Sequence, residues 1–339
     1  MSRRIVDKQT GGGISVPQST REESLDGLKY LLIICVVIGH FIEPSRYNNQ
    51  YTCLLYSIIY SFHMPLFILL SGYFYKIRSF KDEIHKCLPL LEVCLISHIA
   101  FLLLWDGYLS VRNLVNFGYC PSWYLLSLVC WRLSSSIFLS KLSAKVTFIL
   151  SIALEILFFL AIPRYGGLFS IMRTIQFYPF FVLGYVMKGR IKLLCTHKLI
   201  TIVLGLLAII YAIYTSSRLQ HQVFFQRSGL IELSQSTDMS IMGLFLFRYS
   251  LIISSVLVCL MIISLLYQSK IIESFAAFGR GTLFVYFGQT LIYPFAVYYC
   301  SSLTLSLIAS FLAVVLLTYL SFKPISKWLM NPVLSLLCR

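Results

Sequence analysis

Apolar runs long enough to cross a bilayer recur along this sequence, and nothing else about it narrows the possible folds so far. Read between charged or Pro- and Gly-rich breaks, they lie near residues 25–43, 52–75, 86–105, 120–139, 145–162, 168–187, 198–215, 241–268, 278–300 and 302–322. A helix needs about 20 residues to traverse the hydrocarbon layer. That layer offers no water to unpaired backbone groups, so such runs are expected to be helical. The expected fold class is an all-α integral membrane protein, a polytopic bundle of about ten transmembrane helices. The membrane domain is expected over 25–322, flanked by a disordered cytoplasmic tail over 1–24 and a cytoplasmic C-terminal tail over 323–339. The first of these tails is polar and contains Gly11, Gly12 and Gly13, without the early apolar core of a cleavable signal. Composition agrees, since 58% of the 339 residues are hydrophobic and 12% charged, whereas soluble domains carry about 25% charge.

A net charge of +15 would suggest nucleic acid in a soluble protein, but here the basic residues cluster between apolar runs, which is a topology signal. With the N-terminus in the cytoplasm, 19 of the 28 basic residues fall in cytoplasmic segments and five in outer loops: Arg46, Arg112, Arg164, Arg218 and Arg227. Both termini are therefore expected inside, with nucleic acid excluded as a partner. The longest outer loop, near 216–240, is polar and expected to be partly helical. The ten cysteines form no CxxC pair and fall mostly inside apolar runs, so neither a metal site nor a disulfide framework is indicated.

Any chemistry must then sit within or at the membrane. Lys29 and His40 are 11 residues apart, which on a helix separates them by about 16 Å and sets them on nearly the same face. Glu43, three residues beyond, shares that side and is placed to orient the imidazole. In the second run His63 precedes Met64 and Pro65, where a missing backbone donor points to a kink and a cavity. The cluster Lys76, Arg78 and Lys81 that follows suits the phosphates of an anionic cofactor, and equally a plain orientation signal. Glu92, Arg132, Glu155, Arg173 and Arg248 interrupt the runs; Arg132 and Arg248 are read as snorkelling or pairing with Glu155, whereas Arg173 lies too deep to snorkel easily. His98 is read as structural, and His85, His197 and His221 carry no signal. The aromatic pair Trp123 and Tyr124 opens the fourth run either as a platform for a sugar ring or as an interfacial belt; position alone favours the belt.

Together these segments resemble one family. "LDGLKYLLIICVVIGH" resembles the first span of the acyltransferase-3 membrane family, marked by a basic residue, ten intervening residues and a histidine, with Lys29 where arginine is commoner. "FHMPLFILLSGYF", "PSWYLLSL" and "MRTIQFYPFFVLGY" are similar to its second-span, fourth-span and arginine-to-glycine segments, in that order. "GRGTLFVYFGQTLIYP" looks like its penultimate span, with Gln289 where a histidine is often seen. The loop after the second span departs from the pattern of two arginines three apart. The subgroup most resembled contains the fucose 4-O-acetylase type of sugar O-acetylases. The resemblance makes 25–322 an acyltransferase domain in the inner (cytoplasmic) membrane. It implies transfer of an acetyl group from cytoplasmic acetyl-CoA, with no metal, to a hydroxyl of a cell-surface polysaccharide or its lipid-linked precursor. On that reading His40 is the general base with Glu43 beside it. Lys29, Lys76 and Arg78 meet the cofactor, and His63, Trp123, Tyr124 and Arg173 line the substrate pocket. Glycan and membrane lipids are the expected partners. The competing class is a multispan transporter or flippase of a lipid-linked saccharide, although neither inverted-repeat symmetry nor paired broken helices are visible.

Overall fold

The computed structural model describes residues 19–161 and 168–329. Among these the fold is helical, with no named strand and one isolated bridge between Asn116 and Leu168. Ten helices have 16 residues or more: α1 (Ser19–Ile42), α2 (Gln50–Phe74), α3 (Phe80–Trp105), α4 (Trp123–Lys141), α5 (Ala144–Ala161), α6 (Ile171–Val186), α7 (Lys198–Tyr214), α8 (Ile241–Leu266), α9 (Thr282–Tyr299) and α10 (Leu303–Ser321). Each coincides with one expected run, but α1 begins at Ser19, ahead of residue 25. Most of the expected N-terminal tail and residues 330–339 of the expected C-terminal tail lie outside the described residues.

Six of the ten, α1, α2, α3, α5, α8 and α10, are long and apolar enough to cross a membrane. The other four differ for physical reasons. Helices α6 and α7 have 16 and 17 residues. Helix α4 carries Arg132 and eight serines or polar aromatics among its 19 residues, and α9 carries Gln289, Thr290 and four tyrosines. Three of these four, α4, α6 and α9, line the polar interior described below, so lipid does not dictate their composition.

Polar caps start several helices where the chain leaves the bundle ends. Asn49 accepts from the Tyr51 amide at the start of α2, Ser79 from Asp82 in α3, Ser240 from Gly243 in α8 and Ser302 from Leu305 in α10. Each satisfies a backbone donor that the first turn leaves without a partner.

The packing sequence closes a ring. Helix α1 touches α2 and α9, α2 touches α6, α6 touches α4, α4 touches α3, and α3 touches α9. Helix α5 packs outside on α6, α7 and α8 on α2, and α10 on α1 and α9. The α2–α6 seam is backbone against backbone: a Cβ on Gly72 would strike the Phe181 carbonyl oxygen, and one on Gly184 the Leu69 carbonyl oxygen. Glycine is therefore required at both places, as in close crossings of membrane helices generally. At the His40 end of the ring, the segment between α7 and α8 forms two short helices, Arg218–Phe225 and Leu230–Ser234, which bury Val223, Phe224, Leu230 and Leu233 against Ile42, Tyr56 and Leu244.

Candidate active site

The ring encloses two cavities. The first, of about 170 Å3, opens at the end of the bundle where α1 finishes. Helix α1 contributes His40, and α2 contributes Tyr60, His63 and Met64. Trp123 comes from α4, Arg173 and Phe177 from α6, and Tyr293 from α9. Glu43, Arg46 and Arg227 enter from the connecting segments.

Glu43 is the hub of this cavity. Helix α1 ends at Ile42 and tightens into a 3-10 turn, Glu43–Ser45, with Pro44 at its start. The three-residue offset survives this change of winding, so His40 Nδ1 lies 3.5 Å from Glu43 Oε2, facing the carboxylate without a formed hydrogen bond. Tyr293 donates its hydroxyl to the same oxygen at 3.2 Å and Tyr60 at 3.5 Å. Arg46 sits 3.5 Å from Oε1 and donates to the Glu43 carbonyl at 2.6 Å. The His40 ring is braced edge-on by Tyr293 at 5.1 Å.

His63 is ordered differently. Its Nδ1 lies 2.7 Å from the Ile59 carbonyl oxygen, which can only accept, so that nitrogen carries the proton and Nε2 keeps its lone pair. Tyr60 packs edge-on against the ring at 4.5 Å, and the imidazole is 3% exposed. Helix α2 continues through Pro65 without a break.

The second cavity lies toward the opposite end, lined by Lys29, Ser71, Phe74, Tyr75, Lys76, Arg78, Leu128 and Arg132. Lys29 pairs with Asp26 at 2.8 Å and lies over the Phe74 ring. Arg132 and Arg78 share the fully buried Glu83, at 2.6 Å and 3.3 Å. Glu83 thus fixes two guanidinium groups, and Arg78 Nη1 also reaches the Lys76 carbonyl at 3.4 Å. Four cations against Glu83 and Asp26 give a site suited to phosphates.

Along α2, Met64 borders the first cavity and Ser71 the second. Phe67, one turn from each, packs edge-on against Tyr124 at 5.4 Å, and the Tyr124 hydroxyl is 2.7 Å from Ser71 Oγ. Tyr286 flanks Tyr124 from α9 at 5.6 Å. This aromatic septum separates the two cavities.

The structure therefore brings His40, Glu43, His63, Trp123 and Arg173 around one cavity, and Lys29, Lys76 and Arg78 around the other. Trp123 and Tyr124 are 8% and 4% exposed, which overturns the belt reading favoured by position: both face the ring interior, Trp123 at the cavity and Tyr124 behind it. Arg248 does pair with Glu155, at 2.5 Å, but Arg132 pairs with Glu83 instead. His98 is structural, stacked on Phe117 at 3.7 Å and bonded to the Leu114 carbonyl. Gln289 is fully buried and bonds Thr290, away from both cavities.

Several residues had no sequence signal for a site. Arg46 and Arg227 read only as loop charges, and Tyr60 and Tyr293 as two among many tyrosines. His221 is fully buried, with Nε2 2.8 Å from Ser57 Oγ and Nδ1 3.1 Å from the Tyr47 hydroxyl. Burial, and then the nearby Arg46 charge, lower its pKa to about 4. It pins the segment carrying Phe225 and Arg227 onto α2.

A family profile described as an acyltransferase domain matches residues 22–323. The nodulation protein NolL of Sinorhizobium fredii is 28% identical over 198 residues, covering 53% of this chain and 52% of that protein. The chain thus spans about half the length of this curated relative. No solved structure matches.

Proposed function

The chain belongs to the acyltransferase-3 family, and from that premise we propose that it is a membrane O-acyltransferase moving an acetyl group from cytoplasmic acetyl-CoA to a hydroxyl of a cell-surface polysaccharide or its lipid-linked precursor. In this reading all ten long helices span the inner membrane, with both termini in the cytoplasm. The cavity holding Lys29, Lys76, Arg78 and Arg132 faces the cytoplasm and takes the phosphates of CoA. The cavity holding His40 faces outward and takes the acceptor.

One observation carries the proposal. A single helix, α1, runs from Lys29 in the basic cavity to His40 in the other, about 16 Å along its axis. A thioester group reaching past the septum arrives beside the imidazole while its phosphates stay behind. The acceptor oxygen then bonds to the acetyl carbonyl carbon, the C–S bond breaks, and the proton taken by His40 passes to the CoA sulfur. Glu43, held by Tyr293, Tyr60 and Arg46, steadies the imidazole and stabilises its charged form. Trp123, stacked on Phe177 with the Arg173 guanidinium over its ring, forms part of the wall that meets the sugar ring.

His63 offers a second reading of the base, because its Nδ1–H is already committed to Ile59 and Nε2 is left to accept. The test is transfer of radiolabelled acetyl from acetyl-CoA to the glycan fraction of membranes containing wild type, His40→Ala or His63→Ala at matched expression. Loss of general-base catalysis lowers the rate by about 10²–10⁴-fold, and this is expected for His40→Ala. A large loss confined to His63→Ala moves the base to α2. Absence of transfer by wild type, with native glycan present, favours the transporter class.

A further inference from the structure

The cavity that holds His40 also holds two cations that make no salt bridge to any carboxylate among the described residues. Arg173 is 7% exposed; its Nε donates to the Phe225 carbonyl at 3.1 Å and its guanidinium lies 4.8 Å over the Trp123 ring. Arg227 lies over the rings of Tyr119 and Phe225, at 5.2 and 5.0 Å. Among the described residues no carboxylate comes within 4.0 Å of either. The cavity's one carboxylate, Glu43, is engaged by Arg46 on one oxygen and by Tyr293 on the other.

A buried guanidinium without a partner is costly. Elsewhere this chain avoids that cost: Arg248 has Glu155, and Arg132 has Glu83. The exception coincides with a cavity mouth, so the missing anion is supplied by what enters. Guanidinium forks match carboxylate and phosphate oxygens two at a time. A cavity of about 170 Å3, small against the about 300–1,000 Å3 of whole-ligand sites, admits one ring rather than an oligosaccharide. We propose that the acceptor is acidic: the sugar unit entering this cavity carries a carboxylate or a phosphate, held by Arg173 and Arg227 close to the hydroxyl that faces His40. This rests on the acyltransferase reading and names its substrate class.

The test is binding, by calorimetric titration of the purified full chain in phosphatidylcholine nanodiscs with glucuronic acid, glucose 1-phosphate and glucose. Glucuronic acid or glucose 1-phosphate is expected to bind at least tenfold more tightly than glucose, and whichever binds identifies the anion. Arg173→Gln and Arg227→Gln are expected to erase that preference, while Arg112→Gln, an exposed arginine at the same end, leaves it intact. Equal binding of glucose, no binding of either acid, or a preference that survives Arg173→Gln overturns the proposal. So does loss of binding when phosphatidylglycerol replaces part of the neutral lipid, which would assign the anion to a headgroup. The wild-type comparison needs no variant to fold. The acetyl-transfer assay stands apart: acid-selective binding without transfer removes the reaction and leaves the charge assignment, and transfer without selectivity does the reverse.

Discussion

Glu155→Leu is expected to leave Arg248 as a stranded charge. In the native protein Arg248 is 1% exposed, bonded to Glu155 at 2.5 Å and to Gln226 Oε1 at 2.8 Å, with the Phe159 ring 3.9 Å from its guanidinium. Its Nη1 already lacks a hydrogen-bond partner. Removing the carboxylate leaves a full charge with one neutral acceptor, a loss of about 3–5 kcal/mol. Arg248→Met strands Glu155 in the same way, with the Tyr249 hydroxyl at 3.0 Å as its remaining partner. The double variant removes both charges and orphans only the Gln226 amide and the half-buried Tyr249 hydroxyl, costing about 1–3 kcal/mol in total. The cycle should therefore show a coupling of about 3 kcal/mol or more, read from detergent-driven unfolding in mixed micelles. A double variant no more stable than the weaker single variant would refute the assignment of a buried charge pair. Because Gln226 adjoins Arg227, the stable double variant is still expected to lose acetyl transfer.

Three further outcomes follow from the same geometry. Gly184→Ala drives a Cβ into the Leu69 carbonyl, so a loss of about 1–3 kcal/mol is expected in the same unfolding assay; wild-type stability would mean that the α2–α6 seam is looser than described. His221 is neutral in the folded protein down to about pH 4, while an unfolded histidine takes up a proton near pH 6.5. Docking of the 217–240 segment should therefore be fully stable above pH 6.5 and weaken as pH falls toward 4, by up to about 3 kcal/mol. Hydrogen exchange of that segment at several pH values measures this, and His221→Gln should flatten the profile. Lys29→Met or Arg78→Gln should raise KM for acetyl-CoA about 10-fold or more with a smaller effect on kcat; an unchanged KM would detach the basic cavity from the donor.

What could be read in the sequence is what depends on a single helix. Lys29 and His40 sit one per cavity because helical winding alone returns them to one face after 11 residues, and the long apolar runs mark helices for the same local reason. Pairings between helices were harder. Arg132 found Glu83 rather than Glu155 because α4 packs on α3, a neighbour relation that no spacing encodes. Trp123 and Tyr124 resemble an interfacial belt in one dimension, yet the ring turns their helix inward. Arg46, Tyr60, Arg227 and Tyr293 come from four separate stretches, and only ring closure makes them neighbours. His221 was silent for the same reason, since its burial depends on a loop folding back over α2.

The septum of Phe67, Tyr124 and Tyr286 has an electrical consequence. Two polar cavities entering from opposite ends leave that layer as the main insulator, so a membrane potential would drop largely across it instead of across the whole hydrocarbon thickness of about 30 Å. Each elementary charge crossing such a field exchanges about 2.3 kcal/mol per 100 mV. In the proposed reaction the acetyl group passes outward in exchange for the acceptor's proton, which returns to the CoA sulfur, so no net charge crosses, and CoA keeps its phosphates on the near side. Transfer as proposed therefore exports mass without current, and its rate should not depend on whether the membrane is energised.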